Sequence, residues 1–178
     1  NKGKVYECWL SYSYLPDNFN KEYRGFCNSI VAKSKHPVIN SAVEELKIAF
    51  TRFTGQSPQI VESYPDSGCI FVGIWDEADD KALGISYSDL PDDGFIIRKY
   101  ENSGKNVLAV VGKNEQGALY GVFHLLRSMC LGKTLAQVQG IDGPGNPLRI
   151  INHWDNMSGF IERGYAGQSI FFKDNRII

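Results

Sequence analysis

Hydrophobic residues along this chain change period several times, and each change marks an element. Residues 28–32 (Asn-Ser-Ile-Val-Ala) make a short apolar run that predicts a strand. The next apolar positions, Val43, Leu46, Ile48, Ala49, Phe50 and Phe53, fall on one broad face at helical spacing. Asn40 or Ser41 is placed to cap that helix, with Glu44 and Glu45 in a first turn whose dipole favours acids. Gly55 stops it and Pro58 prevents continuation. Residues 59–62 predict a brief strand, and the continuous apolar run 68–74 predicts a buried one. Residues 94–98 and 106–112 give two more, with residues 101–106 (Glu-Asn-Ser-Gly-Lys-Asn) between them a hairpin connection by composition. A second helix is predicted over about 114–131, with Leu119, Val122, Phe123, Leu126 and Met129 on its core face.

Less strongly patterned segments complete the picture. Residues 5–10 read as a first strand, followed by a polar loop holding Pro16, Asp17, Asn18 and Asn20. Residues 76–83 read as a short helix. The element order fits an α/β fold with a mixed β-sheet and helices packed on one face. Residues 140–147 are dense in Gly and Pro and read as a linker. Beyond it, residues 148–152 (Leu-Arg-Ile-Ile-Asn) predict a strand with no partner downstream, as in a truncated second domain. Such a strand leaves backbone groups unpaired. The chain after Gly145 is therefore expected to pack on the first domain, pair elsewhere or move, and not to form a closed domain of its own.

Length and composition narrow the function classes. The 178 residues suffice for one α/β domain with a real core. Net charge is -1, which leaves no electrostatic footprint for nucleic acid or an anionic membrane. No apolar run approaches the roughly 20 residues that span a bilayer. No basic n-region and h-region open the sequence, so a cytoplasmic protein and a secreted one whose leader has been removed both remain open. The four cysteines, Cys8, Cys27, Cys69 and Cys130, form no CxxC pair and do not cluster with histidine, which argues against zinc. Free, buried cysteines acting as small hydrophobes are the expectation.

Candidate chemistry concentrates near the carboxyl end. Gly132-Lys133-Thr134 resembles the tail of a phosphate loop, but Arg127 stands where the loop's first glycine belongs and the segment follows a helix. Gly117 and Gly121 early in the second helix imply something packed closely against them. His124 reads as a structural histidine. The richest stretch runs from Asn152 to Tyr165. Trp154 offers a flat apolar face on which a sugar can stack, Asp155 or Glu162 could act as acid or base, and Arg163 could grip a carboxylate. The plain alternative is a polar loop in which Asp155 forms a turn and Glu162 and Arg163 are solvated. Asn156-Met157-Ser158 also matches a glycosylation acceptor.

Residues 149–156 (Arg-Ile-Ile-Asn-His-Trp-Asp-Asn), then Ile161-Glu162-Arg163-Gly164-Tyr165-Ala166-Gly167 and Ser169-Ile170-Phe171, are similar to the hallmark segment of the bacterial and fungal α-glucuronidase family. Residues 112–126 and the Trp9-Leu10 opening with Tyr12 extend the resemblance over the chain. It implies an N-terminal α/β domain over residues 1–143, like the front domain of β-hexosaminidases. Residues 144–178 would then be the linker and first strand and loop of a truncated (β/α)8 barrel, whose active site lies at the strands' carboxyl ends. The implied reaction removes α-1,2-linked (4-O-methyl)glucuronic acid from xylooligosaccharides with inversion. An acid and a base roughly 6.5–9.5 Å apart would flank the bond. The family's catalytic carboxylates would lie downstream of Ile178, so none is assigned here. Trp154, Asp155 and Asn156 are the implied substrate-binding residues, Trp154 as a wall of the uronic acid pocket. No cofactor and no metal are implied. The implied partners are the decorated xylooligosaccharide and the remainder of the chain's own barrel, with a homodimer open for the full-length enzyme. The competing reading is a carbohydrate-binding or interaction module without activity.

Overall fold

A computed structural model describes residues 11–13, 21–76, 86–150, 152 and 154–178. The expected strand at 5–10, the loop around Pro16, the helix from 77 onward, Trp9 and His153 lie outside the described residues, as does Cys8. Contacts divide the chain into two compact units, Asn1–Gly145 and Asn146–Ile178.

The first unit is an α/β fold built on a six-stranded sheet in the order β2-β1-β3-β5-β4-β6. Its strands are β1 (Ser29–Ala32), β2 (Gln59–Val61), β3 (Cys69–Ile74), β4 (Phe95–Asn102), β5 (Lys105–Gly112) and β6 (Gly140–Asp142). Strands β2, β1, β3 and β5 run parallel, while β4 is antiparallel to β5 and β6 antiparallel to β4. Strands β3 and β5 lie in the middle, which is why their sequences are continuously apolar instead of alternating. The hairpin between β4 and β5 is tighter than its composition suggests. Asn102 pairs with Lys105, leaving Ser103 and Gly104 as a two-residue turn with φ of 52° and 80°. Positive φ at both positions matches the twist of the flanking strands.

Two long helices, α1 (Pro37–Thr54) and α2 (Glu115–Cys130), cover one face of this sheet. Ile30, Ile70, Val72, Ile97, Leu108 and Val110 point towards them and meet Leu46, Phe50, Phe53, Val122, Leu125 and Leu126. Each such large apolar side chain, fully withdrawn from water, contributes about 1.5–3 kcal/mol. A short helix α3 (Leu135–Val138) adds Val138 to the same core. The opposite face gathers Val31, Cys69, Phe71, Ile96, Val107, Ala109 and Val111 under Leu90, with Tyr64, Trp75 and Tyr100 packed around them. Among the described residues the long helices are thus confined to one face, as expected.

Several local expectations are corrected. Helix α1 starts earlier than its apolar stripe, because Pro37 occupies a first-turn position where its fixed φ suits the helix and its missing N–H is no loss. His36 is the N-cap, its Nδ1 accepting from the Val38 N–H at 3.3 Å, and no acid sits in the first turn. Glu45 instead lies one turn deeper, buried, accepting a hydrogen bond from the Tyr12 hydroxyl. Ile48 and Phe123 are exposed, since the buried stripes run through Ile39, Val43, Leu46 and Phe50 in α1 and through Ala118, Val122, Leu125 and Met129 in α2. The C-terminal end of α1 is as expected, with Gly55 at φ 75° donating its N–H to Thr51. Part of the presumed linker is strand β6, held by Ile96 and Ile97 of β4. Cys27 and Cys69 are free and buried, but Cys130 is free and exposed. Among the described residues, no helix is long and apolar enough to cross a membrane.

The second unit contains an antiparallel ribbon, β7 (Phe172–Lys173) with β8 (Arg176–Ile177), and a bridge between Phe160 and Gln168. Asp174 and Asn175 form its turn at φ 51° and 59°. The strand expected over 148–152 is not formed at the described residues 148–150 and 152. Leu148 and Ile150 are largely exposed, and a parallel-type strand gains nothing without a neighbour to bond. No hydrophobic side chain of this unit is buried among the described residues, and hydrogen bonds in place of an apolar core hold it together.

Candidate functional site

The aromatic and polar segment around Trp154 is organised by one serine. The Ser169 hydroxyl donates a hydrogen bond to Asp155 Oδ2. Its oxygen accepts the N–H groups of Phe171 at 2.9 Å and Phe172 at 2.8 Å. The Ser169 N–H binds the Gly159 carbonyl at 2.8 Å. Asp155 Oδ1 in turn accepts the Asn156 N–H at 2.7 Å. Asn156 reaches across the loop with its amide, donating to the Phe160 carbonyl at 2.9 Å, while its own carbonyl accepts from Gly159 at 3.0 Å. The Asn175 N–H, on the ribbon turn, binds the Met157 carbonyl at 2.9 Å. The loop, the bridge and the ribbon are therefore one hydrogen-bonded assembly, with Asp155 and Asn156 spent on holding it.

This arrangement separates the roles of the three predicted binding residues. Trp154 is 68% exposed. Asp155 is half-buried and acts as the turn former of the plain reading, while Asn156 is exposed but engaged. Glu162 and Arg163 occupy left-handed backbone at φ 44° and 58°, inside a 3₁₀ segment Ile161–Gly164. Arg163 is exposed there. A cavity of about 220 Å³ opens in this unit between Ser158, Phe160, Gln168, Ser169, Phe172 and Lys173. None of Trp154, Asp155 and Asn156 lines it. Ser169 is the residue that reasoning from composition missed. Its only signal was membership in the hallmark segment, because a serine's partners fourteen residues away leave no mark in local pattern.

The glycine-rich start of α2 is structural. A Cβ on Gly117 would meet the Gly94 carbonyl oxygen at 2.2 Å, and one on Gly121 would meet Val110 Cγ1 at 2.7 Å. The helix is capped by Asn114, whose Oδ1 accepts the Gly117 N–H at 2.9 Å. His124 packs against Phe95 with the rings tilted by 55° and their centroids 5.3 Å apart, and its Nδ1 lies 3.3 Å from Asp142 on β6. Burial lowers its pKa, against the pull of Asp142. Burial pushes the Cys27 thiol up to about 12 and Cys69 to about 11, which keeps both protonated near neutral pH.

Comparison with known families assigns both halves of the sequence. The model for the N-terminus of glycosyl hydrolase family 67 matches residues 8–125, and that for the family's middle domain matches residues 128–178. The chain belongs to glycosyl hydrolase family 67. Curated relatives agree along nearly its whole length. It is 32% identical to a probable alpha-glucuronidase A of Aspergillus niger over 178 residues. It is 33% identical to alpha-glucuronidase A of Aspergillus tubingensis over 175 residues. Against a probable alpha-glucuronidase A of Aspergillus oryzae the identity is 35% over 176 residues. These alignments cover 97%, 97% and 96% of this chain but 20% of each relative. The chain thus spans about a fifth of the length of the curated relatives it matches.

Proposed function

We propose that this chain is the N-terminal part of a family 67 hydrolase that removes α-1,2-linked (4-O-methyl)glucuronic acid from xylooligosaccharides with inversion. The observation that carries the reading is the continuous match to two consecutive family segments, together with relatives named alpha-glucuronidase. In this reading the mixed sheet and its two helices form a supporting domain, residues 1–143, akin to the front domain of β-hexosaminidases. Residues 144–178 begin a (β/α)8 barrel, and the exposed Leu148 and Ile150 become its first strand once the neighbouring strands are present. The acid and base lie in later strands of that barrel. Neither Asp155 nor Glu162 takes their place, since Asp155 is committed to Ser169 and to the Asn156 N–H.

Trp154 then supplies one wall of the uronic acid pocket, and the Asp155–Asn156–Ser169 network fixes the loop that presents it. The 68% exposure of Trp154 supports this role, because a stacking wall must be free of its own core. The test is release of glucuronic acid from an aldouronic oligosaccharide by this chain and by the same chain extended through its reading frame. Release by the extended form alone is expected. In the extended form, Trp154→Ala should lower kcat/KM by about tenfold or more, the loss of one well-packed stacking contact. Release by the 178-residue chain would overturn the assignment.

A further inference from the structure

Two Asp-Gly pairs occur in the sequence, Asp93-Gly94 and Asp142-Gly143. An aspartate before glycine is open to attack on its own side chain, because the following residue has no Cβ to shield its nitrogen. Whether that nitrogen reaches the carboxyl carbon is decided by the fold, and the fold treats the two pairs differently. At the first pair each group is committed elsewhere. The Gly94 N–H donates to the Pro91 carbonyl at 2.8 Å, and the Asp93 carboxylate accepts from the Asn114 amide at 2.8 Å. Gly94 is also buried.

At the second pair the two groups face each other. Asp142 ends the edge strand β6, where it pairs with Phe95 of β4. The Gly143 N–H donates to Asp142 Oδ1 at 2.7 Å. The carboxyl carbon is one bond further on, so the nitrogen stands within about 4 Å of it, close to the roughly 3–3.5 Å of a reacting pair. The other oxygen, Oδ2, lies 3.3 Å from His124 Nδ1. The Asp142 side chain is 57% exposed, so water reaches it. An attacking nitrogen, a proton donor beside the departing oxygen and water are assembled at one residue.

We propose that Asp142 is a site of spontaneous isoaspartate formation in the folded chain, with His124 as the proton donor. The Gly143 nitrogen bonds to Asp142 Cγ and loses its proton, and the Cγ–Oδ2 bond breaks. Oδ2 leaves as water, carrying that proton and one from the His124 imidazolium. Water then adds to the Asp142 main-chain carbonyl of the five-membered imide, and the bond from that carbon to the Gly143 nitrogen breaks. The chain now runs through Cβ and Cγ, one carbon longer and with its composition unchanged. The added length falls at the end of β6, near the end of the first unit, and disturbs the pairing with Phe95. Arg127 and Lys133 oppose a charge on His124 while Asp142 supports it, so mildly acid conditions populate the donor.

The test is to incubate the 178-residue chain for weeks at mildly acid pH, folded and in urea, and to map isoaspartate at both sites with an isoaspartyl methyltransferase. In the folded chain, Asp142 is expected to convert about tenfold or more faster than Asp93, and in urea the two should be alike. His124→Gln keeps a hydrogen-bond donor but delivers no proton, and should slow Asp142 in the folded chain by about tenfold while leaving its rate in urea unchanged. Equal conversion of the two sites in the folded chain, faster conversion of Asp142 in urea than in the fold, or an unchanged folded rate in His124→Gln would each overturn the proposal.

Discussion

Replacing Gly117 by alanine would normally strengthen a helix, by about 1 kcal/mol. Here the opposite is expected. The added Cβ would sit 2.2 Å from the Gly94 carbonyl oxygen and 3.1 Å from its carbon, against an ordinary contact of at least 3.4 Å. The obstacle is backbone, so no rotamer change relieves it, and helix or loop must retreat by about 1 Å. That same carbonyl accepts the Lys113 N–H at 2.8 Å, and the neighbouring Asp93 carboxylate accepts from Asn114, the N-cap of α2, at 2.8 Å. Overpacking of about 2 kcal/mol and one weakened hydrogen bond of about 1 kcal/mol outweigh the propensity gain. The net loss is about 2 kcal/mol, lowering the melting temperature by roughly 4–8 °C for a unit of this size. Gly121→Ala should cost less, because its contacts are the side chains of Val110 at 2.7 Å and Phe95 at 3.0 Å, which can shift. Gly25→Ala, with nothing within 4 Å, should change stability by no more than about 0.5 kcal/mol. Urea denaturation of the three variants beside the parent chain measures all of this. A neutral or stabilising Gly117→Ala, or a cost smaller than that of Gly121→Ala, would refute the reasoning.

Ser169→Ala removes the acceptor of two backbone N–H groups and the partner of Asp155, so the Phe171 and Phe172 amides should exchange with solvent faster, by about tenfold or more. Exchange at the first unit's β5 amides serves as the unaffected reference. His124 has a pKa below its usual 6.5 because of burial, so the unfolded chain binds the proton more readily. Stability from this group is present above 6.5 and is lost as pH falls towards the folded value, and His124→Gln should flatten that part of the pH–stability curve. Burial raises the pKa of all three described thiols, so exposure decides the order, and native-state alkylation followed by peptide mapping should label the exposed Cys130 well before the buried Cys27 and Cys69. Early labelling of Cys69 would contradict the position of β3 at the centre of the sheet.

Much of the first unit was legible because local pattern and final environment coincide there. Strands β3 and β5 are continuously apolar since both faces of each are covered, and the stripe of α1 ends where Gly55 supplies a left-handed residue. The start of α1 was misread because an N-cap histidine before proline competes with the more usual Asn40 and Ser41, and only the backbone geometry decides. Strand β6 escaped notice because a three-residue edge strand owes its existence to β4, far away in sequence, and not to its own apolar content. The site divides the same way. Trp154 was singled out by residue type, and the structure leaves it exposed. The commitment of Asp155 to Ser169 depends on two segments meeting, which no periodicity records.

The sequence by itself determined the class of fold, the two long helices, the central strands and, through its low-frequency residue runs, the family. These are properties of neighbours along the chain, where side-chain period, turn residues and motif spacing act directly. Tertiary structure alone decided the strand order, the depth of Glu45, the close approach of Gly94 to Gly117 and the placing of the Lys33 ammonium over the Phe71 ring. Each of those depends on which distant segments share a surface, and that is settled by burial of the sheet's two faces as a whole.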